Sequence, residues 1–269
     1  MKIGVVGCAG RMGKNLAKDI LKTKGCEFSG GTEGPKNTAL GEDMGLYLGL
    51  PECGKVITED TEGLFISSDV VIDFTLPKLT VNHLKLAQKY NTSLILGTTG
   101  HDENELFFIE EVAKNVAIVK AMNFSIGVNA LFALTEQLSG LLDNSFDVEI
   151  FEMHHKHKVD APSGTAIALG EAAAKGRSVD LNDVCVRGRD GITGARKQGE
   201  IGFTSLRGGE VVGDHSVIFA GESERIELTH KASSRGIFSQ GAVFAAQWIK
   251  GQTPGLYSML DVLGFNKDP

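Results

Sequence analysis

The sequence predicts an α/β protein: a parallel sheet covered on both faces in the first half, then an open, mixed, mostly antiparallel sheet in the second. Three observations carry this. Between residues 2 and 121, short β-branched runs alternate with segments of helical period, the pattern of repeated strand–helix–strand units. From residue 147 to 232, strands instead follow one another, as in an α+β unit. Glycine is abundant, at 34 residues, and much of it sits where apolar runs end, which suits tight strand-to-helix loops.

Taken in order, KIGVVG (2–7) is a buried strand leading to a helix with Met12, Leu16, Ile20 and Leu21 on one side. CEFSGGTE (26–33) is a second strand. VVIDFT (70–75) leads through Pro77, placed where a first helical turn needs no N–H, to a helix bearing Leu79, Leu84 and Ala87. SLILGTTG (93–100) precedes a helix from Asp102 to Asn115, and VAIVKA (116–121) closes the alternating half. A longer helix spans Ile126 to Leu142. Strands are then expected at 147–154, 184–189, 200–207, 210–220 and 225–232, with Gly208-Gly209 and Gly221-Glu222 as hairpin turns. Helix returns from Gly236 to Gly251. The open sheet has a face and edges to cover, and self-association is the expected solution.

The bulk properties narrow the function. A 269-residue chain that is 42% hydrophobic and 23% charged has a sizeable core and room for two compact units. A net charge of −7 and a pI near 5.5 argue against nucleic acid as the main partner, because phosphate binding calls for a broad basic face. No apolar run is long enough to span a membrane, and MKIGVVG enters a strand with no signal-peptide core, so a cytoplasmic protein without a membrane partner is expected. Cys8, Cys26, Cys53 and Cys185 form no CxxC pair and read as free thiols of a reducing compartment.

GCAGRMG (7–13) places G-x-x-G-x-x-G between the first strand and the first helix. Backbone N–H groups at such a helix start make an anion site suited to a pyrophosphate. Glu33 ends the second strand twenty residues beyond Gly13, where a carboxylate accepts hydrogen bonds from the ribose hydroxyls of an adenosine. A tight turn alone would explain the glycines. Strand, glycines, helix, strand and acid in this order point instead to a dinucleotide. Arg11 reads either as a phosphate partner or as a solvated helix residue. Glu33 repels a 2′-phosphate and so favours NADH over NADPH, while Lys14 and Lys36 soften that repulsion. GTTG (97–100) ends another parallel strand with residues small enough for a nicotinamide ring, though an ordinary loop capped by Thr99 or Asp102 fits equally well.

EMHHKHKVDAPSGTA (152–166) concentrates three histidines and two lysines at positions 154–158 of an acidic chain. A metal site lacks a completing cysteine or well-spaced carboxylate, and none is expected. A solvated basic strand end accounts for Lys156 and part of the histidines. The third reading is an anion site with a proton donor: SGT (163–165) opens a helix whose orphan N–H groups and hydroxyls suit a carboxylate, with lysine and histidine to hold a second carboxylate or deliver a proton.

With NFSIGVN (123–129), GARKQGEIGF (194–203) and ELTHKASSR (227–235), these motifs in this order closely resemble the dihydrodipicolinate reductases of lysine and diaminopimelate synthesis, from about residue 1 to 265. The resemblance implies a Rossmann-type cofactor domain at 1–125, an inserted substrate-binding and tetramer-forming domain at 126–234, and a C-terminal return at 235–269. It implies reduction of 4-hydroxy-tetrahydrodipicolinate, a small cyclic dicarboxylate, to tetrahydrodipicolinate by NADH or NADPH in a homotetramer, with hinge closure bringing Lys158 to the nicotinamide. His154 and Lys158 match the general-acid pair, Lys158 as proton donor. His155, Lys158, Ser163, Gly164 and Thr165 match the groups around the substrate carboxylates. Gly7, Gly10, Arg11, Met12 and Gly13 match the phosphate loop and Glu33 the ribose acid. Gly97, Thr98, Thr99, Ala121, Asn123 and Phe124 match the nicotinamide segments, and Arg235 the cofactor and interdomain region. Dual-specificity members often carry arginine after the ribose acid; Gly34 stands there, which favours NADH, with Lys36 as the alternative cation for the extra phosphate of NADPH. Two other readings are a related imine or amino-acid dehydrogenase for another small dicarboxylate, and a dinucleotide sensor without turnover. A sensor has no use for Lys158 beside an anion cradle.

Overall fold

The computed structural model describes residues 1–266. One unit comprises Met1–Ile126 together with the chain from Gly236, and the other Gly127–Arg235.

The first unit begins with β1 (Lys2–Val6), α1 (Arg11–Lys22) and β2 (Glu27–Thr32). The stretch after Glu33 carries little periodicity and folds into short pieces: α2 (Met44–Tyr47), β3 (Ile57–Thr58) and α3 (Thr61–Ser67). Asp43 and Asp60 cap the two helices through their carboxylates. Then come β4 (Val70–Asp73), α4 (Pro77–Tyr90), β5 (Ser93–Leu96), α5 (Glu103–Ala113) and β6 (Ala117–Lys120). Pro77 does sit in the first turn of α4, and Asp102 with Glu105 forms a capping box at the start of α5.

The strands β1, β2, β3, β4, β5 and β6 pair in parallel, with β2 on one side of β1 and β4 on the other. The chain therefore reverses direction across the sheet at β1/β4, and the crevice beyond the strand ends at that point is where such folds hold ligands. Ile3, Val5, Val70, Ile72 and Ile95 are buried in one core, and Val6, Val71, Leu94 and Leu96 in another. Each strand thus buries both faces, which explains its near-continuous apolar run. Each such side chain contributes roughly 1.5–3 kcal/mol relative to an exposed one.

α6 (Ile126–Leu141) starts at the boundary and leads into the second unit: β7 (Asp147–His154), α7 (Gly164–Gly176), α8 (Leu181–Val184), β8 (Cys185–Arg187), β9 (Ile201–Arg207), β10 (Gly213–Ala220) and β11 (Arg225–Ala232). The sheet order is β11-β10-β7-β9-β8. β10 is antiparallel to β11 and β7, whereas β9 is parallel to β7 and β8. Val148, Ile150, Ile201, Phe203, Val217 and Phe219 pack with Leu131 of α6 and Ala166, Leu169 and Ala173 of α7. The opposite face carries Glu149, Phe151 and Met153, all partly exposed.

Gly221-Glu222 does join a hairpin, β10 to β11, closed by Gly221 N–H donating to Glu224. Gly208-Gly209 does not. Alternate residues of β7 are buried from Val148 to His154, so β7 takes the centre of the sheet with β9 and β10 on either side. The two glycines cross the end of β7, where Gly208 N–H donates to His154 O and Lys156 N–H to Gly209 O. That crossing brings the end of the basic segment beside residues 207–211.

The chain then returns to the first unit with α9 (Gly236–Ile249), β12 (Gly255–Tyr257) and α10 (Met259–Leu263). β12 joins the parallel sheet beside β6, and Ala242, Val243, Ala245, Ala246 and Ile249 of α9 enter the core containing Ile3, Val5 and Leu16. Among the described residues no helix is long and apolar enough to cross a membrane.

Candidate active site

In the first unit the glycine loop is shaped by two close approaches. Gly7 has φ +68°, and a Cβ there would lie 2.8 Å from the Thr75 methyl. A Cβ at Gly13 would overlap the Gly7 carbonyl and the Cys8 backbone, so α1 sits against the loop only because Gly13 has no side chain. Gly10 is the N-cap of α1. Glu33 Oε1 accepts the Ala9 N–H at 2.7 Å, which holds the carboxylate over the loop. A cavity of about 490 Å³ opens at the strand ends, walled by Gly7, Gly10, Glu33, Glu59, Phe74 and Thr75 among others. Arg11 and Thr99 are exposed and Met12 is half-buried. Cys8 is buried, packed where a Gly31 side chain would be, and burial pushes its thiol up to about 12.

Asp73, at the end of β4, ties the DFT and GTTG segments together. Its Oδ1 accepts Thr75 N–H at 2.8 Å, Thr75 O–H at 2.6 Å and Thr98 O–H at 3.1 Å, while Oδ2 pairs with His83 Nδ1 at 2.7 Å. Burial opposes the charge, yet these bonds and the His83 partner hold the Asp73 carboxyl below its ordinary value. Gly97 lies under the Phe74 ring with no room for a side chain, and Phe74 meets Phe124 at 5.2 Å between centroids. Ala121 and Asn123 precede Phe124 in the chain, and the Asn123 side-chain oxygen accepts the Ser125 N–H.

In the second unit the centre is Glu152, 1% exposed. Arg207 donates to both its oxygens at 2.8 Å each, His154 Nδ1 meets Oε2 at 2.6 Å, and Ser163 N–H meets Oε1 at 3.2 Å. Burial would raise this carboxyl, but Arg207 first and His154 next outweigh it and bring it down to about 2. Burial lowers His154, against the pull of Glu152. Ser163 caps α7, accepting the Ala166 N–H, and lies 3.1 Å from His215 Nε2. Thr165 follows in the first turn. A Cβ at Gly164 would meet nothing of the protein within 4 Å, so internal packing does not require this glycine.

Lys158 closes a turn with His155 O and pairs with Asp160 at 2.8 Å. Asp160 is more than half exposed, so the pair is weak, roughly 0–1 kcal/mol, and Lys158 is easily released from it. The structure therefore joins His154 and Ser163 through Glu152. His155 is not in that network: its ring faces His157 at 6.2 Å and its Nδ1 is buried without a described partner. Arg235 is exposed at the end of the unit.

Glu152, Arg207, His215 and the Asp73–His83 pair had no assigned role in the sequence. Strand alternation does place Glu152 and His154 on one face. That Arg207 stands opposite His154, and His215 opposite Glu152, depends on the order of the sheet.

Sequence models of the dihydrodipicolinate reductase N-terminus and C-terminus match residues 1–124 and 127–263. A 4-hydroxy-tetrahydrodipicolinate reductase of Rhodopseudomonas palustris (strain BisB5) is 52% identical over 264 residues, covering 98% of this chain and 97% of its own. The enzyme of that name from Parvibaculum lavamentivorans is 52% identical over 265 residues, covering 98% of each. The solved structure of a dipicolinate-bound dihydrodipicolinate reductase from Paenisporosarcina sp. TG-14 has the same fold, with a TM-score of 0.76 at 24% identity over 97% of this chain and 98% of its own.

Proposed function

The chain belongs to the dihydrodipicolinate reductase family, and from that premise we propose how its residues divide the reduction of 4-hydroxy-tetrahydrodipicolinate to tetrahydrodipicolinate. The protein is an oxidoreductase that works with a nicotinamide cofactor. When bound, that cofactor supplies the hydride.

The residues present fit such a cofactor. Gly7 and Gly13 put no side chain over the loop, Glu33 is held beside it by the Ala9 N–H, and the cavity beyond is open. In this reading Gly10, Arg11 and Met12 complete the phosphate site and Glu33 holds the adenosine ribose. Gly97, Thr98, Thr99, Ala121, Asn123 and Phe124 shape the nicotinamide end, and Arg235 stays assigned to the cofactor region. NADH is the preferred form: Glu33 repels a 2′-phosphate, Gly34 offers no cation, and Lys14 is drawn onto the Tyr47 ring at 4.5 Å.

The substrate is a small dicarboxylate. The observation that carries its placement is the convergence of Ser163 N–H, His154 and Arg207 on Glu152 at the start of α7. Glu152 neutralises Arg207 and locks the helix start, where the Gly164 amide, with Thr165 beside it in the first turn, receives a substrate carboxylate. His155 and Lys158 add positive charge around it. Lys158 delivers the proton that completes reduction, and His154, held at Nδ1, keeps Nε2 as its working atom. The open face of the second sheet, with Phe151 and Met153, is covered by self-association in a homotetramer.

The test is loss of reduced-nicotinamide absorbance, with substrate generated from pyruvate and aspartate semialdehyde by the upstream synthase and NADH and NADPH run in parallel. Substrate-dependent oxidation, faster with NADH, is expected. Folded protein that oxidises neither cofactor would overturn the reading.

A further inference from the structure

Ser163 has more hydrogen-bond partners than a simple helix cap needs. Its hydroxyl oxygen lies 3.2 Å from Ala166 N and 3.1 Å from His215 Nε2, and the residue is 2% exposed. Ala166 N–H can only donate, so it occupies one of the two lone pairs on the oxygen. What the hydroxyl does with its proton depends on which nitrogen of His215 carries hydrogen.

The surroundings of His215 decide this. The residue is 4% exposed, and its Nδ1 is buried with no hydrogen-bond partner among the described residues. A proton on Nδ1 would be a buried N–H with no acceptor, whereas a proton on Nε2 is used by Ser163. Orphaned N–H groups are rarer in folded proteins than acceptors left bare, and an unmade donor bears its full desolvation cost. His215 therefore carries its proton on Nε2 and donates it to Ser163. Charging the ring at both nitrogens is opposed by burial first and by the neighbouring His154 next, which bring His215 down to about 4. The His154 ring stands edge-on at 5.1 Å.

Both lone pairs of Ser163 are then filled, by Ala166 N–H and His215 Nε2–H. Its own O–H is left, and neither neighbour can accept it. We infer that His215 is a positioning residue that makes Ser163 an obligate donor at the start of α7, so that this subsite takes a ligand atom able to accept, a carboxylate oxygen, and rejects an ammonium group, which can only donate. This rests on the reading above that α7 receives a substrate carboxylate. It adds the source of the selectivity: the imidazole behind the serine sets the direction of the hydrogen bond.

The test combines nitrogen NMR of the wild-type protein with two variants, using pyridine-2,6-dicarboxylate as the probe. The spectrum of His215 should show a neutral ring with a pyrrole-type Nε2 and a pyridine-type Nδ1. His215→Phe should weaken dicarboxylate binding and raise KM by roughly 10- to 100-fold, the scale of losing a hydrogen bond to a charged group, with NADH affinity unchanged. His215→Gln keeps an N–H donor and should restore most of the binding. A pyridine-type Nε2 in the wild type, or tight dicarboxylate binding by His215→Phe, would overturn the inference. Wild-type protein that binds NADH but not the dicarboxylate would instead remove the carboxylate assignment of α7, whatever the tautomer.

Discussion

Arg207 stands opposite His154 in the register of β7 and β9, yet its guanidinium reaches back to grip both oxygens of Glu152. His154 reaches the same carboxylate through Nδ1. Two donors, the Arg207 guanidinium and the His154 imidazole, thus share one buried anion.

Breaking this arrangement should be costly. Glu152→Gln leaves the Arg207 guanidinium facing a neutral amide and should destabilise the protein by about 3 kcal/mol, the scale for a broken buried pair. The pH dependence gives a second readout. The folded carboxyl is depressed to about 2 from an ordinary value of 4.5, so its contribution is present above pH 4.5 and is lost as pH falls towards 2. In denaturant titrations, the stability gap between wild type and Glu152→Gln should close across that window. A constant gap would show that Glu152 is not a charged partner in the fold.

Lys158→Ala should lower kcat by roughly 10²- to 10⁴-fold while leaving the Kd for NADH unchanged, because it removes a proton donor and not a cofactor contact. Steady-state kinetics with a separate binding titration separates the two. An unchanged kcat would eliminate the role.

Glu33→Ala should weaken NADH binding by roughly 1–3 kcal/mol, as for a charge-assisted hydrogen bond. Gly34→Arg should shift preference towards NADPH, since a side chain at Gly34 meets nothing of the protein within 4 Å. Calorimetry with both cofactors reads both effects, and equal NADH affinity in wild type and Glu33→Ala would sink the ribose assignment.

Gly13 and Gly164 should behave oppositely when changed to alanine. At Gly13 the new methyl overlaps the loop backbone, so both the melting temperature and NADH binding should fall. At Gly164 the methyl has room and alanine favours the helix, so the melting temperature should hold while KM for substrate rises. A Gly164→Ala enzyme with wild-type KM would place the carboxylate elsewhere.

How far the sequence could be read depended on how local the cause was. The glycine loop, Glu33, Pro77 and the Asp102 cap depend on neighbours within a few residues or on one strand–helix turn, and they were legible. The hairpin expected at Gly208-Gly209 was not, because glycines mark where a chain turns without saying which strands the turn joins. The partners of Glu152 lie 55 residues away at Arg207 and 11 away at Ser163, and only the central place of β7 makes them neighbours. Residues 34–69 were opaque for a different reason: their short elements are held by capping carboxylates such as Asp43, not by a periodic apolar face.

β12 and α9 come from the last part of the chain but occupy the sheet and core begun by Lys2–Val6. During synthesis β1 therefore waits for α9 and β12 to join its core and sheet. Residues 127–235 possess their own sheet and core and can fold while the earlier segment is still missing a layer. A chain cut short after Arg235 would lack the strand beside β6 and the helix that fills the core of Ile3, Val5 and Leu16, so NADH binding should wait until α9 and β12 have been made.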